Sequence, residues 1–131
     1  MGKHWILLGE YNAETTTYSA FTGGAGASPY TPGQSGRLTG LRMMVAGGAA
    51  TQLVNHVQAK LTCASFKPNS IEVGCQGCGL RTVPAFQQRE SDWDVDQPIE
   101  AGVPIYLEGR NVTADTPVGV DVALYGRFET S

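Results

Sequence analysis

Lysine is nearly missing from this chain. Three lysines, at positions 3, 60 and 67, stand among 131 residues, and charged residues of both signs make up only 16%. That is well under the roughly 25% of an ordinary globular domain. Nine cationic residues against twelve anionic ones give a formal net charge of −3. Nucleic acid is therefore not expected as a direct partner, because phosphate binding needs clustered Lys and Arg. No apolar run approaches the ~18 residues of a membrane-spanning helix, so no membrane span is expected. The apolar stretch within Met1–Glu10 is too short for a secretory signal. Histidine occurs only at His4 and His56, which removes histidine-rich metal centres and leaves little for base catalysis.

What the chain has instead is glycine, 17 of them, and alternation. Its length is that of one domain, residues 1–131. Surface scaling leaves roughly 6,700 Å² exposed of about 20,000 Å² in the unfolded chain, enough burial for a core without staples. From Val118 to Phe128 the even positions are Val118, Val120, Val122, Leu124, Gly126 and Phe128, against the mostly polar Asp121, Ala123, Tyr125, Arg127 and Glu129. That is a half-buried strand. Val103, Ile105 and Leu107 repeat the pattern against Tyr106, Glu108 and Arg110, and Asn111–Pro117 between the two runs is rich in turn residues. The two runs are expected to be antiparallel neighbours. Val57, Ala59, Leu61 and Cys63 form a third alternation, opposite Gln58, Lys60 and Thr62. The run Leu38–Ala46 before it ends in Gly47-Gly48, which reads as a hairpin. A helix over Leu41–Leu61 would have to absorb both glycines, at about 1 kcal/mol each. Shorter strands are expected at His4–Leu8, Thr15–Phe21, Ser70–Cys75 and Leu80–Pro84.

About eight strands with turns between them predict an all-β antiparallel sandwich, a single jelly roll in the first instance. Residues 22–36, TGGAGASPYTPGQSG, are too poor in apolar side chains to form a packed element. They read as a Gly/Ser/Pro-rich loop, or as an arm reaching a neighbouring subunit with Tyr30 as its anchor.

Two clusters invite a metal reading. Cys75 and Cys78 stand at CxxC spacing, but a structural zinc site needs four ligands and no second pair exists. Cys63 and His4 remain as distant candidates, and a disulfide from Cys63 to either of the pair stays open. Asp92, Asp94 and Asp96 share one side of an extended segment, opposite Trp93 and Val95, in reach of a calcium ion. The EF-hand pattern fails, because its sixth and twelfth positions are Gln97 and Val103. The plainer reading is a solvated acidic rim over an inward Trp93. No nucleophile elbow or phosphate loop is present. The chain is expected to be non-enzymatic and to need no cofactor.

The segment from Glu100 to Gly126, EAGVPIYLEGRNVTADTPVGVDVALYG, makes two long strands around a polar turn. In this pattern the chain resembles the single jelly-roll proteins that form viral capsids or decorate them. The resemblance covers about a third of the chain and lacks the basic arm with which many coat proteins bind their genome. It implies a homo-oligomeric virion subunit, a trimer or pentamer, with other capsid proteins as partners. Tyr30, Tyr106 and Tyr125 are its expected interface residues, since tyrosine is enriched at such surfaces. The alternative is a carbohydrate-binding β-sandwich using Trp93, Tyr106 and Tyr125 as sugar platforms.

Overall fold

The computed structural model describes residues 3–13, 16–23, 26–46, 55–78, 88–111 and 120–130. Ten strands lie among them: β1 (Lys3–Ala13), β2 (Ser19–Ala20), β3 (Thr22–Gly23), β4 (Gly26–Ala27), β5 (Gly36–Ala46), β6 (Asn55–Thr62), β7 (Ser70–Cys78), β8 (Gln88–Ile99), β9 (Tyr106–Asn111) and β10 (Val120–Thr130). Two four-stranded antiparallel sheets result, in the orders β1-β10-β5-β8 and β2-β9-β6-β7, with β3 and β4 as a small hairpin. With that hairpin set aside, the first strand pairs with the last, β2 with β9, β5 with β8, and β6 with β7. A long hairpin folded back over itself in this way is a jelly roll. The all-β sandwich expected from alternation is therefore the fold.

The expected phases hold where side chains are described. Val122, Leu124, Gly126 and Phe128 are buried while Ala123, Tyr125, Arg127 and Glu129 are half-exposed. In β6, Val57, Ala59 and Leu61 face inward, followed by Cys63. The local pairings are different. β9 and β10 are not neighbours, because β9 lies between β2 and β6 while β10 lies between β1 and β5. β5 and β6 likewise belong to different sheets, so Leu38–Ala46 and Val57–Cys63 make no hairpin. The physical reason is that alternation dictates which side of a strand is buried and says nothing about its lateral partner. Leu80–Pro84 lies outside the described residues.

The 22–36 segment lies on its own chain. Phe21 N–H donates to Leu107 O (3.0 Å), Leu107 N–H donates to Ser28 Oγ (2.8 Å), and Tyr30 and Ile105 exchange backbone bonds of 2.9 and 2.8 Å. Residues 19–21 and 28–30 thus run along β9 as a discontinuous edge strand, with β3 and β4 as an excursion beside β1. Pro32 is buried and its carbonyl accepts the Gly102 N–H at 2.9 Å.

The sheets meet at Tyr11. A bulge at Leu8 shifts the phase of β1: Trp5 and Leu7 face outward before it, and Tyr11 faces inward after it. The Tyr11 ring stacks on Phe21 with centroids 4.3 Å apart. Its hydroxyl crosses to the other sheet and donates to the Gln58 carbonyl at 3.0 Å. Room for the ring exists because residue 109 has no side chain: an ideal Cβ there would lie 2.1 Å from Tyr11 Cζ.

Gly109→Ala should therefore destabilise the fold by about 1–3 kcal/mol or more through overpacking. Tyr11→Phe, which removes only the hydroxyl, should cost about 1 kcal/mol. In a double-mutant cycle measured by urea unfolding, Tyr11→Leu should recover much of the Gly109→Ala loss. Simple additivity of the two would contradict the contact.

Candidate functional site

The three aspartates of β8 do share one exposed face, as their spacing predicts, but each is taken by a different arginine. Asp92 stands opposite Arg42 of β5 in the sheet register and receives both Nε and Nη2, at 2.8 and 3.0 Å. Asp96 accepts Arg37 Nε at 2.5 Å, and Asp94 accepts Arg127 Nη2 at 3.3 Å. The carboxylates are thus spread along the strand and individually neutralised. Among the described residues no group of three potential ligands gathers. The hydrogen bond from Arg42 holds the Asp92 carboxyl below the usual carboxylate range, burial working weakly against it. β8 is an edge strand, and its carboxylates and Pro98 are the features that keep an exposed edge from pairing with another chain.

Behind the aspartates the arginines meet Trp5. The Arg42 guanidinium lies 4.2 Å from the ring centroid and that of Arg127 5.4 Å. Arg127 also binds the bulge at Thr39, donating to Thr39 Oγ1 at 3.0 Å and to its carbonyl at 2.9 Å. A matching arrangement crosses the opposite sheet. The Tyr18 hydroxyl donates to Glu72 at 2.5 Å, with Arg110 4.3 Å and Lys60 5.5 Å from the ring. Burial, then the Glu72 hydrogen bond, raises the Tyr18 pKa and keeps that hydroxyl a donor.

The backbone of Cys75 and Cys78 belongs to strand β7, paired with Val57 and Asn55, and not to a turn. Their side chains lie outside the described residues, as does that of His56. Cys63 is buried and free, its Sγ 3.1 Å from Ser65 Oγ. It follows Val57, the partner of Cys75, by six residues along β6, so ~20 Å of strand rise separates Cys63 from Cys75. A disulfide, which needs Cα atoms within about 7 Å, cannot join them.

The tyrosines are distributed over the molecule. Tyr106 is 51% exposed on the outer face of β9. Tyr125 is half-buried on the outer face of β10, between Leu7 of β1 and Arg42 of β5. Tyr30 is occupied by its own chain, stacking on Phe128 with centroids 5.9 Å apart. Trp93 packs inward against the core, as expected. The three proposed sugar platforms therefore face three different ways.

An opening among the described residues reaches the core. Where β1 begins and β10 ends, a cleft of about 190 Å³ lies beneath the 30–35 loop, walled by Ile6, Tyr30, Pro32, Ile99 and Phe128. His4 and Gln34 stand at its mouth, both exposed.

No family model and no curated protein matches this chain. Among solved structures, the globular domain of zebrafish complement 1qA protein superposes on it with a TM-score of 0.51. The alignment covers 98% of each chain at 11% identity. The likeness is one of fold.

Asp92→Asn should cost less than ~1 kcal/mol at neutral pH, because the pair is half-exposed and screened. Since the folded state lowers the Asp92 pKa, this contribution is present above the ordinary aspartate range and is lost as pH falls through the folded value. The two proteins should melt alike at the acid end, and millimolar calcium should leave the wild-type melting temperature unchanged. A rise with calcium would restore the metal reading.

Proposed function

We propose that this chain is a structural virion subunit, a capsid or capsid-decoration protein, that acts through self-association and catalyses no reaction. The observation that carries the proposal is the placement of Tyr106 and Tyr125 on the outer faces of opposite sheets. A two-fold dimer uses one patch twice, whereas a closed ring of three or more copies joins two different patches head to tail. Aromatic surface on both faces fits the second arrangement. The trimer or pentamer expected from the sequence is a ring of this kind, with other capsid proteins as its partners and the virion as its location.

The scarcity of lysine supports self-association. With three lysines the chain is poorly equipped to stay apart from its copies. The similar fold of a complement globular domain shows that a jelly roll of this size also serves outside viruses, so the virion assignment rests on the C-terminal strand pattern and the two tyrosine faces. The carbohydrate-binding alternative is weaker, because the aromatics it needs do not share a face.

Sedimentation velocity provides the test. The wild-type chain should form a discrete trimer or pentamer, and Tyr106→Ser and Tyr125→Ser should each dissociate it. An equimolar mixture of the two variants should form dimers through the one intact junction left to them. A wild-type chain that stays monomeric at high concentration, or a mixture no different from its components, would overturn the proposal.

A further inference from the structure

We propose that the cleft beneath the 30–35 loop binds a small molecule with an apolar ring body that carries a hydroxyl. The inner face of β1 reads His4, Ile6, Leu8, Tyr11, and exposure falls along it from exposed through half-buried to buried. The sandwich is therefore open at this end and sealed further in. The lining of the cleft includes Ile99 and Phe128, 5% and 4% exposed, Tyr30 stacked on Phe128, and the buried Pro32.

Volume selects the ligand's size. An apolar cavity on the order of 150 Å³ takes one benzene ring, and this cleft holds about 190 Å³. A ligand of one ring, or of two small fused rings, matches that space, and a long acyl chain exceeds it. The walls select an apolar body, and two of them are aromatic rings suited to offset stacking. The mouth selects the substituent. His4 stands at the exposed end of the inner face of β1, where the alternation calls for an apolar residue. Its imidazole and the Gln34 amide offer both donors and acceptors to a single hydroxyl. Sites with apolar walls and a few polar groups at one end are the usual form of small-molecule pockets.

Benzyl alcohol is a suitable probe, read by amide chemical shifts of the full-length protein, with glycerol as the polar control. Saturable shifts should centre on residues 4–6, 30–35, 99 and 128–130, with a dissociation constant on the order of millimolar, as expected of so small a ligand. Ile6→Trp should fill the cleft and weaken binding at least about tenfold. Thr130→Phe, at a half-buried position that lines the cleft, provides a second blocking variant. Glu72→Gln, on strand β7 of the other sheet, should leave the shifts unchanged. Absence of saturable shifts in the wild type would overturn the proposal. So would binding retained in both blocking variants while their melting temperatures show them folded.

Discussion

The separation of the two sheets depends on one side chain. Tyr11 stands across the interior, its ring occupying the space that a Cβ at position 109 would fill and its hydroxyl ending on the Gln58 carbonyl. β9 and β6 are adjacent in the far sheet, so a single tyrosine spans both. Burial raises its pKa strongly and keeps the hydroxyl protonated as a donor. The stack on Phe21 extends the constraint to the discontinuous edge strand, because Phe21 N–H donates to Leu107 of β9. The loop that follows, through Tyr30 and Pro32, inherits its position from that contact and roofs the cleft.

A core completed in this way leaves the outer faces free for other work. The chain exposes 6644 Å², close to the roughly 6,700 Å² that scaling gives for a folded monomer of this mass. Association is thus not needed to finish the interior. β10 shows the division of labour within one strand. Val122, Leu124 and Phe128 serve the core, while Tyr125 and Arg127 form an outer row with Trp5, Arg42 and the β8 aspartates. That row neutralises and protects one edge of the sheet, and the β3–β4 excursion lies against β1 at the other. With the edges occupied, the faces remain as contact surfaces.

The sequence was most legible where one face of a strand is buried. The phases of β6, β9 and β10 follow directly from alternation, because their inward positions are mostly apolar, the buried Asn111 at the end of β9 excepted. Strand β1 was harder, since the bulge at Leu8 places Trp5 outward and Tyr11 inward at the same parity. Lateral partners were illegible: nothing local distinguishes a hairpin from a crossover when the link is residues 47–54 or 112–119. The role of Asp92, Asp94 and Asp96 was hidden for the same reason, because their arginines come from positions 37, 42 and 127. Regular spacing of three carboxylates invites a metal until the neighbouring strand is known. Arg42 opposite Asp92 is a cross-strand charge pair, a signal readable only after the register is set. Gly109 carried a legible hint, as a glycine on the inner face of an otherwise apolar strand marks a close approach.

The claim that copies join through opposite faces is tested most directly by linking those faces. One chain would carry Glu108→Cys and another Ala123→Cys, beside Tyr106 and Tyr125 on the same outer faces, both with Cys75 and Cys78 replaced by serine, and the mixture would be oxidised briefly and digested for mass spectrometry. The head-to-tail arrangement predicts peptides joining position 108 of one copy to position 123 of the next. Links found only between like positions, 108 to 108 or 123 to 123, would show a two-fold contact and contradict the account.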